Sequence, residues 1–231
     1  MAELCHIRND IDLSEYTGTV TDGGDLSVHV DAAMAGTTRG LHCVIDDTTE
    51  IYGWKTLAGA FTQVRFRFYL DPNSMTIGDG DSFGICTCYS VAGTVSTVYL
   101  GYTIASGYQI VGGWKDDEGG WTWSDWILIS DVDHYIEVHS VAETGDGNND
   151  GTGEIWLDGS SEDTVANLGN WGMFDSGLSS MHIGALWTVP ASAEGTLYLD
   201  ELKANDDGGE IGPVPRVPRQ PAVVYQVPAI Y

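Results

Sequence analysis

The chain has 231 residues, 42% of them hydrophobic, and sets 23 Asp and 11 Glu against three Lys and six Arg, for a formal charge of −25. Such a surface repels phosphate backbones and anionic bilayers, which argues against nucleic acid as a partner and against membrane binding. The length buries a full core without disulfide or metal staples, and an all-β sandwich of about 200 residues commonly forms one domain.

In chain order, "MAELCHIRNDIDLSEY" has no basic start followed by an apolar run, so no signal peptide is expected. Segments of period two then recur: "DLSVHV", "RGLHCVID", "FTQVRFRFYL", "SFGICTCYS", "TVYLGYTI", "YQIVGGW", "DWILIS", "HYIEVHSV", "GEIWLDG", "SMHIGAL" and "GTLYLDELKA". Gly, Asp, Asn and Ser clusters such as "TDGGD", "LDPNS" and "GDGD" bound them as turns. In "RFRFYL", Arg65 and Arg67 fall on one face of a strand, and Val64, Phe66 and Phe68 on the other. A helical turn is expected only around "VANLGNWGMF". About eleven to thirteen strands without an interior linker predict an all-β fold: an antiparallel jelly-roll β-sandwich over residues 1–205. A polar hinge follows at 206–212, and an extended Pro-rich C-terminal arm at 213–231. No run reaches the roughly 18 apolar residues of a membrane span.

Four cysteines are sparse, and Cys86 and Cys88 share one strand face with no second pair nearby. Buried free thiols are expected rather than a zinc site, with a Cys5–Cys43 bridge between early strands as the alternative. "GGWKDDEGGWTWSDW" gathers Trp114, Trp121, Trp123 and Trp126. Extended, it points Trp121 and Trp123 one way and Trp126 the other. These indoles suit either the core or a subunit interface, or a platform on which sugar rings stack. Trp54, Trp156, Trp171 and Trp187 are expected in the core. In "GDGNNDGTGE", Asp146, Asn148 and Asp150 alternate before Gly151, with Glu154 following. Alternating oxygens before a glycine wrap a hard cation, so structural Ca²⁺ is set against a metal-free hairpin turn.

The stretches "DLSEYTGTVTDGGDLSV", "GTTRGLHCVIDD", "VRFRFYLDPNS", "GTGEIWLDGS" and "GTLYLDELKA" resemble the concanavalin A-like lectin/glucanase superfamily, in its laminin-G-like jelly-roll branch. The resemblance covers about residues 7–204. It implies two antiparallel sheets on a scaffold used for glycan binding, glycan cleavage, adhesion and virion surfaces alike. In carbohydrate-binding sandwiches of this type, an Asp on the last strand meets an acid near the N-terminus around calcium. Asp200 with Asp10 or Asp12 is the corresponding set here.

Glycanases of the superfamily place two carboxylates on one strand face, roughly 5 Å apart. Neither E-x-D-x-E nor E-x-D-x-x-E occurs. Glu137 with His139, and Asp131 with Asp133, are the nearest pairs, and a lone Glu–His pair on a strand is expected to be solvated. G-x-S-x-G, H-E-x-x-H and P-loop patterns are missing as well, so no catalytic residues and no enzyme are expected.

The tail "PVPRVPRQPAVVYQVPAIY" holds five of the seven prolines, two of the nine basic residues and no acid. Its prolines preset polyproline II, reaching roughly 60 Å, while "AVVYQV" can add to a sheet edge. Val223, Val224, Tyr225, Val227, Ile230 and Tyr231, with Arg216 and Arg219, are the expected assembly contacts on an acidic copy of the same protein. Taken together, these features predict a non-enzymatic virion surface protein, a capsid decoration or tail component. It would assemble as a homo-oligomer with itself and other virion proteins, contact surface glycans, and bind no nucleic acid. A carbohydrate-binding module or adhesin of an extracellular protein is the alternative. The acidic composition suits a halophilic milieu, where salt screens self-repulsion within a few ångströms, and equally an ordinary extracellular one.

Overall fold

The computed structural model describes residues 3–214. Its strands are β1 (Glu3–Ile7), β2 (Gly18–Val20), β3 (Leu26–His29), β4 (Gly40–Ile45), β5 (Ile51–Gly59), β6 (Gln63–Asp71), β7 (Ser82–Ser90) and β8 (Thr94–Thr103). They continue as β9 (Gly107–Lys115), β10 (Trp121–Trp123), β11 (Ile127–Leu128), β12 (His134–Val141), β13 (Gly151–Leu157), β14 (Ser160–Leu168), β15 (Leu178–Leu186) and β16 (Gly195–Asn205). A short α-helix, α1 (Trp171–Asp175), falls where the helical turn was expected. Among the described residues no helix is long and apolar enough to cross a membrane.

All strand pairings are antiparallel, in two sheets of eight strands. Sheet A runs β14-β13-β12-β6-β16-β4-β3 with β1 also on β16; sheet B runs β10-β9-β8-β7-β15-β5-β2 with β11 also on β9. The alternation in "RFRFYL" builds the inner face of sheet A: Val64, Phe66 and Phe68 are fully buried, each worth about 1.5–3 kcal/mol of apolar burial. Leu197 and Leu199 of β16 and Ile183 of β15 join the same core from the two sheets. All four cysteines are buried free thiols, and burial pushes the Cys5 thiol up to about 12.

Three features depart from the sequence-based expectation. The strands among the described residues number sixteen, because β1, β2 and β10 are too short to show a period. β5, "IYGWKTLAG", carries bulk on both faces, with Ile51 and Leu57 inside and Tyr52 and Trp54 on the other side. β14 is largely polar because it is an edge strand that buries only Val165 and Leu168.

The segment expected to be a hinge is instead strapped to the outer face of sheet A. Arg65 and Glu137, from neighbouring strands, form an ion pair with side chains 7% and 1% exposed. The Glu137 carboxylate also accepts the amides of Ile211 and Gly212, both at 2.9 Å. Arg65 donates to the carbonyl of Gly208 (3.0 Å), Arg67 to that of Gly212 (2.8 Å), and the Val214 amide to the Tyr69 hydroxyl (2.9 Å). Glu137 is therefore buried, not solvated, because two arginines and a peptide segment close over it.

Candidate functional site

The outer face of sheet B is lined with aromatic rings. Direct cross-strand register sets one row on this face: Gly18, Trp54, His182, Thr87, Thr97, Gly113 and Trp123, from β2 to β10. Around it, ring contacts run without a break. His182 lies 4.6 Å from Tyr89 and 5.1 Å from Tyr52, Tyr89 lies 6.0 Å from Trp187, and Trp187 lies 6.1 Å from both Tyr99 and Trp121. Trp121 and Trp123 stack at 5.1 Å with planes 20° apart. Thr87 and Thr97, mid-row, share a 2.8 Å hydrogen bond and are fully buried.

Glycines in the row let the indoles lie on the sheet. A Cβ on Gly18 would come within 2.2 Å of the Trp54 ring, and one on Gly113 within 2.4 Å of the Trp123 ring. Trp126 packs over Gly101 in the same way, at 3.0 Å. Trp123, Trp126 and Tyr99 wall an open groove of about 430 Å³ with Val111, Ser82 and Ser124.

Of the four tryptophans named from the sequence, three line this face. Trp114 does not: it is 1% exposed, and its ring fills the core over Gly112 and Gly153, with Nε1 donating to Ser140 Oγ at 3.0 Å. Trp126 shares a face with Trp123 because β10 ends at Trp123, so strand alternation does not carry through Ser124 and Asp125. Trp54 and Trp187, expected in the core, are half-buried members of the tract. Trp156 lies on the outer face of sheet A beneath the Arg65 guanidinium, 3.8 Å from the ring centroid, and Trp171 is half-buried in α1. A sequence reading misses Tyr52, Tyr89, Tyr99 and His182 as site residues, since each lies in an ordinary alternating strand.

The electrostatics of this face are simple. Burial holds His182 down at about 4, so the ring is neutral at pH 7, and it shares a 3.0 Å hydrogen bond with Ser180 Oγ. Burial, and then the charge of Glu50, push the Tyr52, Tyr89 and Tyr99 hydroxyls up, Tyr89 to about 12. Glu50 itself accepts the Trp187 amide at 2.9 Å. Lys115 Nζ sits 5.7 Å from the Trp121 ring centroid at one end of the tract.

The expected calcium ligands do not converge. Asp150 caps Thr144 through both carboxylate oxygens, Asn148 donates to Thr144 Oγ1, and Glu154 accepts from Ser161 on the neighbouring strand. Asp146 alone meets other acids, with Asp117 and Glu143 carboxylate oxygens within 4.8 Å of one another in a pocket of about 440 Å³. Two of these acids already hold backbone amides, Asp117 those of Gly172 and Met173, and Glu143 those of Asn149 and Trp171. Asp200 is fully buried; its carboxylate accepts from Met34, Thr37, Asn9 and Glu201, and burial still pushes it up to about 7. Asp10 accepts from Thr38 and Asp12 from Ser14. Asp131 caps the Ser74 turn. The expected assembly residues Arg216, Arg219, Val223, Val224, Tyr225, Val227, Ile230 and Tyr231 lie outside the described residues.

No family model matches the sequence, and no curated protein is similar to it. The structure is similar to endo-β-1,4-glucuronan lyase from the fungus Trichoderma reesei, with a TM-score of 0.60, 11% identity, and 88% of this chain covering 95% of that one. Alginate lyase from Chlorella virus gives 0.54, 13% identity, and 83% against 99%. A heptameric pentraxin from Limulus polyphemus gives 0.50, 16% identity, and 80% against 87%. At these identities the likeness concerns the fold, and the chain is a jelly-roll β-sandwich.

Proposed function

We propose that the protein is a glycan-binding sandwich, a non-catalytic, laminin-G-like member of the concanavalin A-like group, that holds a polysaccharide along the outer face of sheet B. The observation that carries this is the unbroken aromatic tract from Trp54 to Trp123, with indoles laid on glycines and phenol hydroxyls beside them. Sugar rings present apolar faces to such indoles and hydroxyls to such donors. Polysaccharide pull-down tests it: binding disappears in Trp54→Ala/Trp123→Ala at unchanged circular dichroism. Retention by the double variant overturns the reading.

The setting we propose is a virion surface, with the arm beyond Val214 mounting the sandwich on a copy of itself or another particle protein. The strap supports this, because its last described residue, Val214, is held on sheet A, opposite the aromatic face. Deleting residues 215–231 removes assembly while leaving the strap and the fold; a truncated protein that still assembles ends that part of the proposal.

A second reading, lysis of a uronate polymer, is favoured by His182 between Tyr52 and Tyr89. A neutral imidazole beside phenols is suited to moving a proton next to a carboxylate, and two similar structures are polysaccharide lyases. Appearance of unsaturated product on alginate or glucuronan, lost in His182→Ala, would favour it over simple binding.

A further inference from the structure

We infer that the polymer held on sheet B is an uncharged, extended polysaccharide, an inference that rests on the glycan-binding reading and narrows it. A site for uronate or sulfate sugars neutralises each bound charge with a cation or a dense set of donors, since charge-assisted hydrogen bonds are the strong ones. Among the described residues all but one of the Lys and Arg side chains are engaged elsewhere. Arg8 pairs with Asp10 (3.2 Å) and Glu201 (3.3 Å), Arg67 with Glu201 (3.0 Å), Lys203 with Glu3 (3.2 Å), and Arg65 with Glu137. Arg39 donates to the Ile11 carbonyl (3.3 Å) and Lys55 to the Glu15 carbonyl (2.7 Å). Among the described residues that leaves Lys115, at one end of the tract and close to Trp121.

The middle of the tract offers no substitute. His182 sits among Tyr52, Trp54 and Tyr89 with Ser180 Oγ as its hydrogen-bond partner, so its surroundings are aromatic and neutral. Glu50, a carboxylate that bears on these tyrosines, adds negative charge. A row of carboxylates laid over Trp54, His182 and Trp187 would meet this charge, in a protein already at −25. An uncharged chain loses nothing there, and its apolar ring faces gain the indoles. The row crosses six strands from β5 to β10, at about 4.8 Å between strands, a span that fits several consecutive sugars of an extended chain.

The test is affinity electrophoresis of the full chain against hydroxyethyl cellulose, xyloglucan and mixed-linkage β-glucan on one side, and alginate and glucuronan on the other, at low and at high NaCl. At least one neutral polymer should bind about tenfold or more tighter than either anionic one, a gap of about 1.4 kcal/mol. Its affinity should change by less than about twofold with salt, because no charge is being screened. Tighter binding to alginate or glucuronan, weakened in Trp123→Ala, would leave the glycan face standing and overturn its neutrality. Binding to neither class, or binding that survives Trp123→Ala and the double variant, overturns the glycan reading itself, and this inference with it. Trp123 is 42% exposed, so its single variant keeps the test valid where the double variant unfolds.

Discussion

The two outer faces of this sandwich treat polar and apolar groups in opposite ways. Sheet A carries Arg65, Arg67 and Glu137 outward and covers them with the chain's own segment 208–214, so its charges end nearly dry and internally matched. Sheet B carries tryptophan and tyrosine outward, and among the described residues Trp123 and Trp126 stay 42% and 48% exposed. Exposed indoles of this kind are what the glycan-binding proposal uses. The strapped face plays no part in that proposal.

The comparison breaks most violently at Glu137. Replacing it with Ala or Gln leaves Arg65 buried without its anion and frees the amides of Ile211 and Gly212. Loss of one partner of a buried pair costs about 3–5 kcal/mol, to be read from urea unfolding, with protease sensitivity appearing within residues 206–214. Glycan affinity at a temperature where the variant is folded should be unchanged. A variant of wild-type stability would show that the strap carries little of the fold.

Gly113→Val is the corresponding stroke on sheet B. An added Cβ meets the Trp123 ring at 2.4 Å, so the indole must lift from the sheet. Overpacking of this kind costs about 1–3 kcal/mol, and polysaccharide binding should fall with it. Gly18→Ala repeats the experiment under Trp54. Trp123→Ala is gentler: it gives up ring contacts with Trp121 and Tyr99, worth about 0.5–1.5 kcal/mol of stability. It should weaken binding about threefold to tenfold, the worth of about 0.5–1.5 kcal/mol of ring contact. A Trp123 variant that loses stability but not binding would reassign the indole to packing.

How much of this was legible in the sequence follows from where each residue's partners lie. Alternation within a strand is local, so "HYIEVHSV" and "SFGICTCYS" appear as β12 and β7 with their ends in place. Whether a tryptophan is core or surface is not local. Trp114 and Trp123 stand nine positions apart, and the parity of β9 and of β10 sends one inward and the other outward. The glycine that lets Trp54 lie flat is Gly18, and nothing in either neighbourhood links them. The strap is harder still, since Glu137 reaches its amide donors 74 and 75 positions away. The acidic loop misled for a related reason. Alternating oxygens suggest a cage, but Thr144 takes both Asp150 oxygens and Ser161, on the neighbouring strand, takes Glu154.

The smallest expected effect is a pH dependence that separates the two faces by their histidines. His139 on sheet A and His182 on sheet B are both held down at about 4 from 6.5, first by burial. For His139 the Arg65 charge adds to the depression while Glu137 opposes it, and Gln63 and Trp156 complete its surroundings. A folded value below the unfolded one means that the native state binds fewer protons across that window. The stabilisation from each ring is therefore full above about pH 6.5 and is lost as pH falls through about 4. His139→Gln and His182→Gln should each flatten part of the decline in stability between those limits. Only the first should also flatten the loss of amide protection in residues 208–212, because His139 Nε2 stands beside Gly208. Only the second should alter how glycan affinity falls toward pH 4, since His182 lies in the aromatic row. If both variants changed both readouts equally, the faces would be coupled through the core, and the division between a strapped face and a working face would fail.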